Sequence, residues 1–241
     1  MYKSKDNILT IENLNVFYGK KQALFDVSLS LQKGEILGVA GESGCGKSTL
    51  AKTIVGMNKN YSGKMELQTR DPQIVFQDPY ASLNPAKRIG WQLKEPLRLD
   101  RRRKWSAAEQ EERIREVLKQ VELPETLLDR YPSQLSGGQR QRACIGVALM
   151  RHPGLLLADE PVSALDVTIQ AQVLKLLQHL HERLGLSMLF ISHDLRVIWQ
   201  LCDRVIVMKE GKVLEEGAVS EVYRHPRHDY TKTLLSAAGI R

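Results

Sequence analysis

Cysteine is scarce: the chain has only Cys45, Cys144 and Cys202 in 241 residues. They are too few and too scattered for a disulfide framework or a metal site, which points to a reducing, cytosolic compartment. No apolar run approaches the roughly 18 residues of a membrane span. No apolar stretch follows the lysines of Met1-Tyr2-Lys3-Ser4-Lys5-Asp6-Asn7, so no signal peptide is visible. Repeats, low-complexity tracts and long Gly/Ser linkers are also missing, which leaves one folded body. What remains is globular composition, 42% hydrophobic and 26% charged. The balance leans basic, 35 Lys and Arg against 28 Asp and Glu, a formal +7. That sign is compatible with nucleic acid, anionic lipid or nucleotide and chooses none of them. The densest basic run, Arg101-Arg102-Arg103-Lys104, reads as a solvated face ahead of a helix, with binding of lipid headgroups or RNA as the alternatives.

Strand signals fill the first third. Residues 8–14 alternate, and Val27, Leu29 and Leu31 share one side of residues 26–31. Ile36-Leu37-Gly38-Val39-Ala40 is apolar without alternation, as a strand buried on both faces must be. From Asn84 to Met150 the chain turns helical and charged. Ser106 and Glu109 form a capping box there, followed by Ile114, Val117, Leu118 and Val121 at helical spacing. Leu155-Leu156-Leu157-Ala158 resumes the strand pattern. A long helix follows, with Ile169, Val173, Leu176, Leu177, Leu180 and Leu184 on one stripe. A strand at 188–191, a helix, and a hairpin from Arg204 to Glu215 turning at Glu210-Gly211 complete the order. Strands alternating with helices predict an α/β fold with a parallel sheet and an inserted helical segment.

The most specific local signal is Gly41-Glu42-Ser43-Gly44-Cys45-Gly46-Lys47-Ser48-Thr49, a G-x-x-x-x-G-K-S pattern between a buried strand and a helix. Glycines permit a tight loop whose N–H groups converge on one anion, and the helix N-terminus adds its positive end. Lys47 supplies a mobile charge for β- and γ-phosphates, and Ser48 a hydroxyl for Mg²⁺. Among the converging N–H groups and beside Lys47, the Cys45 thiol is expected to have a lowered pKa. Guanine specificity would want an N-K-x-D element, and Asn58-Lys59-Asn60-Tyr61 lacks the acid. Adenine needs only a π-face, which Tyr18 offers ahead of the loop.

Asp159 ends a buried strand, where an acid can hold Mg²⁺ through water, and the adjacent Glu160 can polarise an attacking water. Gln77, after Ile74-Val75-Phe76, stands past another strand end and can touch the metal or its water. His193 follows Phe190-Ile191-Ser192 in the same way. Polar residues at successive strand ends of one α/β sheet face one crevice.

Gln134-Leu135-Ser136-Gly137-Gly138-Gln139-Arg140-Gln141-Arg142 opens a helix in the inserted segment and makes a second helix N-terminal anion site. One nucleotide does not need two such sites from one subunit. Two subunits arranged head to tail would use both, each triphosphate lying on one glycine loop and under the other subunit's Ser136-Gly137-Gly138.

The set Leu135 to Gln139, Gly41 to Thr49, Leu155 to Glu160, Gln77 and His193 resembles an ABC-type ATPase subunit over nearly the whole chain. The resemblance implies a P-loop (RecA-like) core, about 1–78 and 151–241, with an α-helical subdomain at about 79–150 and a small antiparallel β portion. It implies ATP and Mg²⁺ as ligands. Tyr18 would stack on adenine, Gln77 would sense permease and Mg²⁺, and Glu160 would act as catalytic base. Ser163-Ala164-Leu165-Asp166 would communicate across the dimer, His193 would sense the γ-phosphate, and Ser136 to Gln139 would contact ATP in trans.

Val75-Phe76-Gln77-Asp78-Pro79-Tyr80-Ala81-Ser82-Leu83-Asn84-Pro85, Gly41 to Thr49 and, with two residues inserted, the tail His225 to Leu235 further resemble the dipeptide/oligopeptide/nickel importer branch. That branch implies a peripheral subunit on the cytoplasmic face of the membrane. Its partners would be integral-membrane permease subunits, a second ABC ATPase subunit (self or paralogue) and, indirectly, an extracytoplasmic substrate-binding protein; no nucleic acid is expected. A soluble ABC-type ATPase of a phosphonate-degradation or nucleic-acid assembly is the alternative. Two departures stand out. The connection from Leu67 to Ile74 is short, which bears on the antiparallel β portion, and the chain ends at Arg241 without a Cys-bearing tail, so neither an iron–sulfur cluster nor a regulatory domain is expected. His225 and His228 are too few to read as a metal site.

Overall fold

The computed structural model describes residues 6–69, 71–101 and 103–240. The N-terminal residues 1–5, Arg70, Arg102 of the basic run and Arg241 lie outside the described residues. In chain order the elements begin with β1 (Asn7–Tyr18), β2 (Lys21–Gln32), β3 (Ile36–Ala40), α1 (Lys47–Ile54), β4 (Tyr61–Leu67) and β5 (Gln73–Val75). The helical stretch holds α2 (Pro79–Ser82), α3 (Ile89–Arg98), α4 (Ala107–Gln120) and α5 (Gly137–Leu149). Then come β6 (Leu155–Asp159), α6 (Val167–Leu184), β7 (Ser187–Ile191), α7 (Leu195–Leu201), β8 (Arg204–Lys209), β9 (Lys212–Ala218), α8 (Val219–Arg224) and α9 (Asp229–Ala237). No helix among the described residues is long and apolar enough to cross a membrane.

The chain forms two compact units. The first comprises Met1–Ile74, Gly154–Glu160 and His181–Arg241, the second Val75–Pro153 and Pro161–Leu180. In the first unit a six-stranded sheet runs in the order β5-β6-β7-β3-β8-β9. β3 pairs parallel with β7 and β8, and β6 parallel with β7. Every residue of β3, β6 and β7 is buried, which is why those segments are apolar without alternation. β8 and β9 close an antiparallel hairpin at Glu210-Gly211, both at positive φ, the turn that matches strand twist.

A second sheet, β2-β1-β4, is wholly antiparallel. The short connection after Leu67 therefore leaves the antiparallel β portion intact. Its inward residues Leu9, Ile11, Leu14, Leu24 and Leu31 share one buried cluster with Leu37, Val39, Leu157, Ile191 and Ile206 of the larger sheet. Burial of a side chain of this size stabilises by about 1.5–3 kcal/mol.

The second unit is helical. Ile89, Leu93 and Leu97 of α3, Ile114, Val117 and Leu118 of α4, and Ile145 and Leu149 of α5 are all buried. Buried Arg113 donates to the carbonyls of Leu149 and Met150, satisfying the open C-terminal end of α5. The expected stripe on α6 is narrower than its spacing suggests. Val173, Leu176, Leu177 and Leu180 are buried, but Leu184 is 45% exposed and Ile169 half-buried, because the ends of the helix leave the packed face.

Candidate active site

β3 runs straight into the glycine loop and α1. Gly41 has φ +147°, and a Cβ there would lie 2.3 Å from the Met208 carbonyl oxygen. Gly46 has φ +108°, with Leu24 Cδ2 2.6 Å from the same imagined atom. Gly41 accepts no other residue without backbone movement, and at Gly46 the positive φ strains any other residue even where Leu24 gives way. α1 has no side-chain cap at Gly46 and no acid in its first turn, so its N–H groups stay open for an anion. Lys47 is 4% exposed, and its Nζ donates to the Gly41 and Glu42 carbonyls, both at 2.8 Å. A buried ammonium held by two main-chain carbonyls of the glycine loop is a cation whose partners phosphate oxygens can replace. Ser43 and Gly44 are exposed on the loop and Thr49 is half-buried. Tyr18, at the end of β1, is half exposed and leaves a ring face open to stacking.

The Cys45 thiol departs from expectation. Burial pushes it above its ordinary value, and this outweighs the attraction of Lys47. The side chain is only 6% exposed, and the Lys47 ammonium 3.9 Å from Sγ is already shared with two carbonyls.

Ser48 Oγ donates to Asp159 Oδ1 at 3.0 Å. Burial, with the charge of Glu160 adding to it, raises the Asp159 carboxyl above the usual range against the opposing Ser48 hydrogen bond. This all-oxygen pair suits a hard divalent cation that draws most of its ligands from water and phosphate. Among the described residues no group of three His, Cys, Asp or Glu could hold a metal unaided.

Glu160 adopts φ +49°, a left-handed conformation that turns the chain sharply after β6. Its N–H donates to the Ile191 carbonyl at 3.0 Å, tying the turn to β7. A non-glycine residue in this region stores about 1–3 kcal/mol, which the paired strands must offset. Glu160 Oε2 lies 3.0 Å from His193 Nδ1. With the Nδ1 proton directed at the carboxylate, the His193 Nε2 is left for a second partner on the 57% exposed ring. The first unit thus brings together Lys47, Ser48, Asp159, Glu160 and His193 at the ends of β3, β6 and β7.

The remaining candidates belong to the second unit. Gln77 lies two residues beyond β5 and is exposed. Ser136 caps α5: its Oγ accepts the Gln139 N–H at 3.3 Å, while Gln139 Oε1 accepts the Ser136 N–H at 3.0 Å. Gly137 and Gly138 form the first turn of α5, and a Cβ on Gly138 would lie 2.7 Å from Ile169 Cγ2. Asp166 immediately precedes α6, its Oδ1 accepting the Ile169 N–H at 3.0 Å. Two contacts were not anticipated from the sequence. The Arg140 guanidinium lies 3.8 Å from the centre of the Tyr80 ring, and the Tyr230 hydroxyl accepts an N–H from the phosphate loop. The Tyr80 and tail motifs were the available signals, but neither names its contact. His228, one of the two tail histidines, caps α9 through Nδ1.

The sequence profile of the family described as ABC transporter matches residues 24–163. The oligopeptide transport ATP-binding protein OppF of Haemophilus influenzae is 46% identical over 244 residues, covering 94% of this chain and 73% of its own. The dipeptide transport ATP-binding protein DppF of the same organism is 42% identical, covering 98% of this chain and 79% of its own. Among solved structures, the dimeric post-hydrolysis ATP-binding cassette MJ0796 bound to ADP and Pi superimposes with a TM-score of 0.77 at 30% identity, over 88% of this chain and 98% of that one. A glycine loop over a buried lysine, two adjacent acids at the end of β6 and likeness of this extent leave one conclusion: the chain belongs to the ABC transporter family, as one of its ATPase cassettes.

Proposed function

We propose that this ATPase energises uptake of peptides through a membrane permease, working as a peripheral subunit on the cytoplasmic face. The observation that carries the cargo class is 42–47% identity, over more than nine-tenths of the chain, to subunits named for oligopeptide and dipeptide transport. The relatives given above are named for peptide transport, which is what favours that cargo over nickel or a soluble assembly.

The chemistry follows from the side chains. Lys47 exchanges its loop carbonyls for the β- and γ-phosphates, at little cost because it is already buried and charged. Ser48 and Asp159 would hold Mg²⁺ that arrives with the triphosphate, and Gln77 would reach its water; bound there, Mg²⁺ neutralises phosphate charge. Glu160 orients water for attack on the γ-phosphorus. His193 holds the Glu160 carboxylate at Nδ1 and offers Nε2 to a phosphoryl oxygen. Tyr18 stacks on adenine. A second cassette, self or paralogue, supplies Ser136, Gly137, Gly138 and Gln139 over the γ-phosphate, with Asp166 beside that interface. An extracytoplasmic binding protein would deliver cargo to the permease.

The test is uptake of a labelled oligopeptide by cells lacking this gene. Wild type is expected to restore uptake and Lys47→Ala to leave it at background. Undiminished peptide uptake in the deleted cells would remove the peptide reading. Recovery of the protein only in a stable soluble complex would favour the non-transport alternative.

A further inference from the structure

The tail motif set apart in the sequence has no part in the chemistry above, yet it folds back onto the phosphate loop. Glu215 of β9 accepts the backbone N–H groups of Arg227 at 2.8 Å and His228 at 3.1 Å, fixing the turn before α9. His228 Nδ1 accepts the Tyr230 N–H at 3.1 Å and caps the helix. Tyr230 is thereby pressed inward to 9% exposure, with Lys209 Nζ 4.8 Å from its ring centre. Its hydroxyl accepts the Glu42 N–H at 3.3 Å.

That N–H belongs to the peptide unit joining Gly41 to Glu42. The carbonyl of the same unit is Gly41's, which accepts Lys47 Nζ at 2.8 Å. In a planar trans peptide the N–H and C=O point in opposite directions. One rigid plane therefore has the Tyr230 hydroxyl at one end and the Lys47 ammonium at the other. Gly41, at φ +147°, has no side chain to hold this plane. Hydrogen bonds at the two ends polarise one another through the amide.

We infer that Tyr230 is a positioning residue of the nucleoside triphosphate site: its hydroxyl holds the Gly41–Glu42 peptide so that the Gly41 carbonyl keeps Lys47 in the cradle. The Glu42 N–H is correspondingly directed at α9 and is not one of the phosphate donors. The loop is preorganised from outside by a helix some 190 residues away in the chain.

This inference rests on the reading of the glycine loop as the ATP site. It is tested on the full chain by amide hydrogen exchange and by binding of a fluorescent ATP analogue, neither of which requires turnover. Tyr230→Phe removes one oxygen. The Glu42 amide is expected to exchange faster, and affinity to fall about three- to tenfold, the range of one net hydrogen bond. Leu235→Ala, on the same helix, loosens packing but keeps the hydroxyl; it is expected to lower Tm further while leaving affinity within about twofold of wild type. Wild-type affinity in Tyr230→Phe, or an equal loss in Leu235→Ala, overturns the positioning role. Lys47→Ala separates the two failures: analogue binding equal in wild type and Lys47→Ala overturns the ATP-site reading, and the inference with it.

Discussion

Gly41 is where a single hydrogen atom matters most. Its φ of +147° is strained for any L side chain, and a methyl would sit 2.3 Å from a main-chain oxygen of β8, which has no rotamer to change. Gly41→Ala is expected to cost about 1–3 kcal/mol in backbone strain alone. It would also tilt the peptide whose carbonyl holds Lys47. The checks are a lowered Tm and at least a tenfold weaker affinity for an ATP analogue; unchanged values of both would contradict the geometry. The glycine pattern was legible in the sequence because its chemistry depends on residue type and spacing. Cys45 was not, because its thiol is set by burial, and that burial comes from a core cluster gathered from several elements, which local spacing does not display. Glu160 and His193 were each legible as strand-end residues. Their 3.0 Å contact depends on the left-handed turn at Glu160, and no residue type announces positive φ in a glutamate.

At the scale of elements, α4 shows a helix start specified twice over. Ser106 Oγ accepts the Glu109 N–H, and Glu109 Oε2 accepts the Ser106 N–H at 2.8 Å. Ser106→Ala is expected to cost about 1 kcal/mol, read as a lower Tm. The backbone N–H of Ser106, then its hydroxyl, then Arg103 hold the Glu109 carboxyl at about 2, below its ordinary 4.5. A depressed folded pKa means that the folded state binds its proton later than the unfolded chain. The contribution is complete above pH 4.5 and is lost as pH falls towards 2. Amide exchange at the start of α4 should quicken across that window in wild type and change less in Glu109→Gln, which keeps a capping amide. Arg103 also lies 4.1 Å from the centre of the Trp105 ring, so this part of the basic run is engaged locally. Capping boxes, buried strands and the Glu210-Gly211 hairpin are readable because neighbours in sequence make them. The range of α6 and the docking of α9 are not, since their partners lie far along the chain.

Across the whole molecule, the proposed catalysis requires more than one copy of the cassette. Ser136 caps its own helix and belongs to the second unit, while Lys47, Asp159, Glu160 and His193 belong to the first. The N-terminus of α5, capped by the Ser136 hydroxyl and with no acid in its first turn, is suited to a phosphate oxygen arriving on another copy's loop. Binding energy shared by two copies through one γ-phosphate makes association depend on whether that phosphate is present. Glu160→Gln keeps the side-chain size and removes the charge proposed to activate water, so ATP should bind and persist. In the presence of the chain's co-purified partners, Glu160→Gln is expected to shift from one cassette to two on adding MgATP, by sizing with light scattering. MgADP should leave it unshifted, and wild type should return to the single form as ATP is consumed. Adding Ser136→Arg to Glu160→Gln places a bulky cation where the incoming phosphate and Ser136 would meet, and should abolish the shift while leaving analogue binding to the single cassette intact. A dimer that forms equally with ADP, or that survives Ser136→Arg, would show that the γ-phosphate is not what the two copies share.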